Sequence, residues 1–402
     1  MSSLTTKSDQ EILALADGDV RDRLGKFIRE FNKREWSVRV GADHPTFESY
    51  VQNGYEHSDE FGTGFVVDGQ PVPYFHPNRS FHDEIIWLNS NLYYEPDVSF
   101  EDKLINSAIV KFYGPANTLD IITQNTGSRF INHKCLVNDP EYEMTLLTNI
   151  DKAFVDGEKI WGTTELRTSL QTASRNYGRL HSPINDIKNV PQIFRSLYSN
   201  LDKNQGLSEG RRMMPSDMIV WVKHLAERWI PFYKSKPDMK ESFEFLTSTR
   251  GIGNYYGYHF SSNLARMPGV GANRLIDVEF GDLFGKLGIS HGNLDENSDY
   301  CIAGPGATAT LTKLFKGFPK TQTNLMRALV AIRNNQEEFF GIAGNPVAEQ
   351  HLREASELGR FTTFGIEISC CQFNVFERAA ADGNIARKRA AAPISKITKE
   401  KT

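Results

Sequence analysis

A chain of 402 residues that is 39% hydrophobic and 11% aromatic can fill a sizeable core, in two or three domains or one elaborated one. A formal net charge of −4 excludes a protein that coats nucleic acid through bulk electrostatics, although local clusters of cations can still grip phosphate. No apolar run approaches the roughly eighteen residues of a membrane span, and the polar stretch Met1–Gln10 has no export-signal core. Cys135, Cys301, Cys370 and Cys371 lack C-x-x-C spacing, and the histidines form no H-x-x-x-H pair. Reduced thiols, a cytoplasmic location, no membrane partner and no protein-ligated metal are therefore expected.

In chain order, the first predicted element is a helix over 9–32, whose apolar stripe runs through Ile12, Leu13, Leu15, Val20, Leu24, Ile28 and Phe31. The stretch 35–95 is aromatic and rich in Gly, Pro and Asn. In it, Phe65-Val66-Val67-Asp68-Gly69-Gln70 reads as a strand entering a tight turn. Helical periodicity returns over 101–125 and 163–178, and the polar segment 203–213 reads as a connection. Pro215 suits the first turn of the next helix, where Met218, Trp221, Val222, Leu225 and Trp229 recur at helical spacing before Pro231. Further helices are predicted at 238–249, 320–335, 346–359 and 364–380, and the basic tail from Ala386 reads as disordered. The expected division is an N-terminal region over 1–205, a helical core over 206–385 and the tail over 386–402.

Two glycine turns carry most of the chemistry: Arg250-Gly251-Ile252-Gly253 and Gly304-Pro305-Gly306-Ala307. In each, one helix runs into Gly-x-Gly and another starts at once. The amides that open a helix lack internal acceptors, so with the helix dipole they form an anion site suited to a DNA phosphate. Lys313 and Lys316 follow the second turn, inside a stretch from Cys301 to Arg333 that holds five basic residues and no acid. The plainer reading of either turn alone is a tight helix–helix connection with packing value. Met267-Pro268-Gly269-Val270-Gly271 has a similar glycine pattern and reads as a loop. No apolar strand precedes either turn, and the P-loop spacing is absent, so dinucleotide-binding and kinase readings fail.

On the last predicted helix, Glu367, Cys371, Asn374 and Arg378 fall on one stripe. A polar stripe holding a thiol can line a cleft, or it can be a solvated face with a Glu–Arg pair.

Taken in order, three segments resemble a known family. They are Leu246 with Gly251, Ile252, Gly253 and Tyr258; then Gly304, Pro305, Gly306, Ala307 and Leu311; then Cys371, Gln372, Phe373, Phe376 and Arg378. Over roughly 210–380 this pattern resembles the α-glutamyl/putrescinyl thymine pyrophosphorylases, or amino acid:DNA transferases. Those proteins are related to the helical domain of phage 5-hydroxymethyluracil DNA kinases. The chain departs from the pattern at Gln372, where the family carries Glu, and at Val375, where it carries Lys.

The resemblance implies a mainly α fold, with a helix-hairpin-helix, DNA-glycosylase-like core and a less regular, partly β N-terminal region. It implies a transferase that lets an amino acid or polyamine displace pyrophosphate from 5-pyrophosphoryloxymethyluracil in DNA, downstream of a partner 5-hydroxymethyluracil DNA kinase. No resident cofactor is implied; a divalent metal travelling with the pyrophosphate is compatible with it. Such chemistry needs a nucleotide turned out of the stack, donors for leaving-group charge and a neutral amine. The catalytic candidates are Glu367, Cys371, Gln372, Asn374 and Arg378. Gly251, Gly253, Gly304, Gly306, Lys313 and Lys316 are candidates for DNA contact, and Arg250, Tyr258 and His259 for substrate contact, with Arg266 a further anion donor. Two other readings share the glycine turns: a DNA glycosylase, and a non-catalytic DNA-binding module.

Overall fold

The computed structural model describes residues 4–40, 66–67, 70–71, 83–93, 95–113, 117–158, 160, 215–249, 252–267, 270, 300–355 and 360–381, and over these the chain is mainly helical. In the N-terminal half the helices are α1 (Asp9–Leu13), α2 (Gly18–Val40), α3 (Asp83–Leu88), α4 (Phe100–Tyr113), α5 (Asn117–Ile122), α6 (His133–Asn138) and α7 (Pro140–Val155). They continue with α8 (Asp217–Lys234), α9 (Met239–Ser248), α10 (Asn254–Leu264), α11 (Pro305–Leu314), α12 (Gln322–Asn334), α13 (Gln336–Phe339), α14 (Pro346–Ala355) and α15 (Thr363–Ala381). Among the described residues the one strand pair is β1 (Val66–Val67) with β2 (Gln70–Pro71). It is antiparallel, with Val66 opposite Pro71 and Val67 opposite Gln70. The predicted helix at 163–178, the connection at 203–213 and the tail from 386 lie outside the described residues.

Three predicted helices differ in detail. The helix expected over 9–32 is two, α1 and α2, because the chain turns at Asp17. There the Asp17 amide donates to Leu314 O (2.8 Å), and the Asp17 side chain accepts the Val20 amide at 3.2 Å. The periodicity over 101–125 resolves into α4 and α5; Pro115, between them, has no amide to continue a helix. Conversely, α8 runs through Pro231 to Lys234, with the exposed proline on its outer face.

The described residues fall into two compact units, and these cut across the expected division at residue 205. One unit holds α1 and α2 together with α11–α15; the other holds α4–α10. The N-terminal helices belong with the C-terminal ones because their side chains serve them directly. Phe27 of α2 packs on Phe373 and Phe376 of α15, with ring centroids 5.5 and 5.2 Å apart. Arg21 donates to Phe339 O (3.0 Å) and Glu338 O (3.1 Å), and Arg29 donates to Phe340 O, supplying the carbonyls that end α13.

In that unit two glutamines grip the extended segments that lead into α11 and α15. Gln322 Oε1 accepts the Ala303 amide and its Nε2 donates to Ala303 O, both at 3.0 Å. Gln336 does the same to Phe361, at 2.7 and 3.0 Å. Each side-chain amide replaces the neighbouring strand that these backbone groups lack.

The other unit is built on a buried aromatic cluster. Phe112 of α4 lies 5.1 Å from Trp221, 6.4 Å from Trp229 and 5.8 Å from Phe260, centroid to centroid. Tyr113 donates to Pro215 O (2.6 Å), and Asp151 accepts from the Ser216 amide and hydroxyl (2.9 and 2.7 Å), which fixes the start of α8. A capping box at Asp238 and Glu241 opens α9. Helices α9 and α10 then cross at Gly257, where a β-carbon would come within 2.6 Å of Thr247 Cγ2.

Candidate functional site

The second glycine turn is seated on the last helix. Gly304 is the N-cap of α11, and its amide donates to Glu367 Oε1 over 2.9 Å. Two residues on, Gly306 leaves room for Cys371: a β-carbon there would lie 2.6 Å from the Cys371 sulfur. Thr310, one turn further along α11, donates to Cys370 O at 2.7 Å. Two motif segments about sixty residues apart in sequence thus meet residue against residue. Glu367, only 3% exposed, sets a carboxylate against the amide-rich start of α11, where the helix dipole favours negative charge. Its charge also helps to raise the pKa of the neighbouring Cys370 thiol, though burial is the larger cause.

The catalytic candidates on α15 differ in exposure. Glu367 and Asn374 are buried, Cys371 and Gln372 are half-buried, and Arg378 is exposed. Of these, Glu367 and Cys371 face the glycine turn directly.

The two lysines predicted to meet DNA are exposed, and each already faces a carboxylate. Lys313 pairs with Glu377 Oε2 at 3.1 Å, while Arg23 of α2 takes the other oxygen at 2.9 Å. Lys316 pairs with Asp17 at 2.6 Å. The acid-free stretch from Cys301 to Arg333 therefore draws its counter-charges from remote segments.

The first glycine turn is different. Arg250 and Gly251 lie outside the described residues. Gly253 is the exposed N-cap of α10; among the described residues no side chain caps that helix, and none comes within 4 Å of where its β-carbon would be. Among the described residues no side chain occupies the start of α10, whereas Glu367 already holds the Gly304 amide at α11. Tyr258 and His259 lie beneath that surface, 2% and 5% exposed, with Tyr258 edge-on to Phe243 at 6.4 Å. Arg266 is buried as well and donates to Ser262 O at 2.8 Å. These three are core residues of their unit. The turn at Gly253 belongs to one unit and the turn at Gly304–Gly306 to the other.

Sequence reasoning passed over Gln322 and Gln336, the residues that fix the lead-ins to α11 and α15. A glutamine carries no pattern that separates a backbone clamp from a surface side chain. It also passed over Gly257, although a glycine inside a helix-period stretch is a signal of close helix approach.

Among the described residues no group of three or more His, Cys, Asp or Glu side chains could hold a metal ion, and no helix is long and apolar enough to cross a membrane. No protein-family model, curated protein or solved structure matches the chain.

Proposed function

We propose that this chain is a DNA base hypermodification transferase with a helix-hairpin-helix, glycosylase-like core, acting on 5-pyrophosphoryloxymethyluracil in DNA. One observation carries the reading: the G-P-G-A segment lies on the helix that holds the C-Q-F-x-x-F-x-R segment, with Gly306 against Cys371 and Gly304 on Glu367 one turn before it. A resemblance drawn from separate stretches of sequence gains weight when those stretches form one local structure.

In this reading an amine nitrogen attacks the exocyclic methylene of the base, the carbon–oxygen bond breaks, and pyrophosphate leaves with its electron pair. The amine sheds its proton to a base as the new carbon–nitrogen bond forms. Arg378, exposed further along α15, is the donor offered to the leaving group. Glu367 is a positioning residue, holding the Gly304 amide and hence the turn. Gln372, half-buried on α15, is the candidate for orienting the amine. The open start of α10 at Gly253 is suited to a backbone phosphate, a contact that positions DNA without reading its sequence.

The test is incubation with DNA carrying the pyrophosphorylated base and a pool of amino acids and polyamines, followed by nucleoside mass spectrometry. An amine adduct lost in Gln372→Ala is expected. An unaltered base with every donor would sink the reading.

A second reading has its own support. Glu367 and Cys371 both have packing work, one holding an amide and the other filling the space beside Gly306. A non-catalytic helix-hairpin-helix DNA-binding module would use them only so. It predicts salt-sensitive, sequence-independent DNA binding and no product in any donor pool.

A further inference from the structure

We infer that the N-terminal segment Leu4–Asp17 is an internal stand-in for a nucleic-acid backbone, its two carboxylates seated on cations that DNA phosphates would take. The inference rests on the DNA reading above and adds a surface and a means of regulating it.

Between Cys301 and Arg333 the chain has Lys313, Lys316, Lys320, Arg327 and Arg333 and no acidic residue. The first residues of the chain supply the missing charge. Asp9 meets Arg327 Nη1 at 2.5 Å and accepts from Asn334 Nδ2 at 2.8 Å. Asp17 meets Lys316 Nζ at 2.6 Å. The segment is held between these points by its backbone. The Leu4 amide donates to Asn324 Oδ1 (3.0 Å), Lys7 O accepts from Arg327 Nη2 (2.8 Å), and the Asp17 amide reaches Leu314 O. Leu4 is buried and lines a small cavity with Leu311, Phe315, Leu325 and Ala328, and Ile12 is fully buried.

The two kinds of contact have different strengths. Leu4 and Ile12 are apolar anchors that keep the segment attached. The Lys316–Asp17 pair, its lysine 74% exposed, is weak and screened by salt; the Arg327–Asp9 pair, 23% and 24% exposed, is screened less and yields second. A phosphate offers a guanidinium a better-matched partner than a single carboxylate oxygen does. The carboxylates can therefore yield their cations to a polyanion without the segment unfolding. Both are held in the ionised form that competes: hydrogen bonds from Asn334 and Arg327 outweigh burial at Asp9, and Lys316 holds Asp17 below the usual carboxylate range.

The experiment is a duplex-binding titration with the full chain and its isosteric variants. Asp9→Asn with Asp17→Asn should bind a short mixed-sequence duplex roughly tenfold tighter at about 50 mM salt, the gain expected from freeing two cations. Adding Lys316→Gln and Arg327→Gln should abolish the gain. Glu337→Gln with Glu338→Gln changes net charge equally while leaving the Asp9–Arg327 and Asp17–Lys316 pairs in place, and should have less than about a twofold effect. Each single variant, D9N or D17N, should carry part of the gain, so misfolding of the pair leaves the test intact. Binding by the Asp9 and Asp17 variants no tighter than by the E337Q/E338Q control overturns the inference alone. Absence of duplex binding in every variant overturns it together with the DNA reading.

Discussion

Gly306 stands so close to Cys371 that a β-carbon on it would lie 2.6 Å from the Cys371 sulfur and 3.2 Å from both the α-carbon and the carbonyl oxygen. Helix α11 therefore presents bare backbone to α15 at this point, with the thiol filling the space a side chain would occupy. Gly306→Ala should destabilise the unit by about 1–3 kcal/mol, the usual cost of forcing extra volume into a packed contact. Cys371→Ala removes the sulfur and should relieve part of that cost, while the backbone contacts keep the rest. A double-mutant cycle by urea denaturation measures the coupling. An equal loss from Gly306→Ala in both backgrounds would mean that the thiol is not the close neighbour.

The two glutamine clamps make the same pair of hydrogen bonds in different surroundings, so they should differ in cost. Gln336 is 3% exposed, and its removal strands the amide and carbonyl of buried Phe361. Gln336→Ala should cost about 2–4 kcal/mol, the sum of two lost bonds and two desolvated backbone groups. Gln322 is exposed, so water can replace its bonds to Ala303, and Gln322→Ala should cost about 1 kcal/mol or less. Urea midpoints order the two; a larger loss at Gln322 would reverse the argument.

The helical character, most of the predicted helices and the polar stripe on α15 were legible in the sequence, because apolar periodicity and glycine punctuation are local signals. What Asp17 does was not legible. It looks like part of one amphipathic helix over 9–32, and only its bond to Leu314, nearly three hundred residues away, shows why the chain turns there. The counter-charges on Lys313 and Lys316 were hidden for the same reason, since Glu377 and Asp17 come from other segments. A run of cations without a neighbouring acid is not an uncompensated patch until the fold has placed every carboxylate. The difference between the two glycine turns was equally out of reach. The sequence shows Gly-x-Gly twice, and only packing distinguishes an open start at Gly253 from one resting on Glu367.

That difference is testable within one helix pair. At Gly253 a side chain would enter open space at an N-cap with extended backbone (φ −80°, ψ 171°). Gly253→Ser supplies the missing cap and should leave stability unchanged or raise it by a few tenths of a kcal/mol. At Gly257 the new atom meets Thr247 Cγ2 at 2.6 Å, and Gly257→Ala should cost about 1–3 kcal/mol despite the better helix propensity of alanine. Thermal melts of the two variants should move apart. If both move together, the spacing of α9 and α10 is looser than the Gly257 contact requires.

Acid should loosen the N-terminal segment before it unfolds the rest. At Asp9, burial raises the carboxyl pKa, but hydrogen bonds from Asn334 and Arg327 more than reverse this; at Asp17 the hydrogen bond from Lys316 is the main cause of a lowered value. A carboxyl with a depressed folded pKa takes up its proton more readily in the unfolded chain. Its contribution is therefore complete above the ordinary carboxylate range and is lost as pH falls toward the folded value. Stability should decline from about pH 5 downward, and Asp9→Asn with Asp17→Asn should flatten the first part of that decline while lowering the neutral-pH midpoint slightly. Urea midpoints for the chain and the double variant between neutral pH and pH ~3 give the comparison. Parallel curves would show that the two carboxylates titrate alike in folded and unfolded chains, which their contacts with Arg327 and Lys316 do not allow.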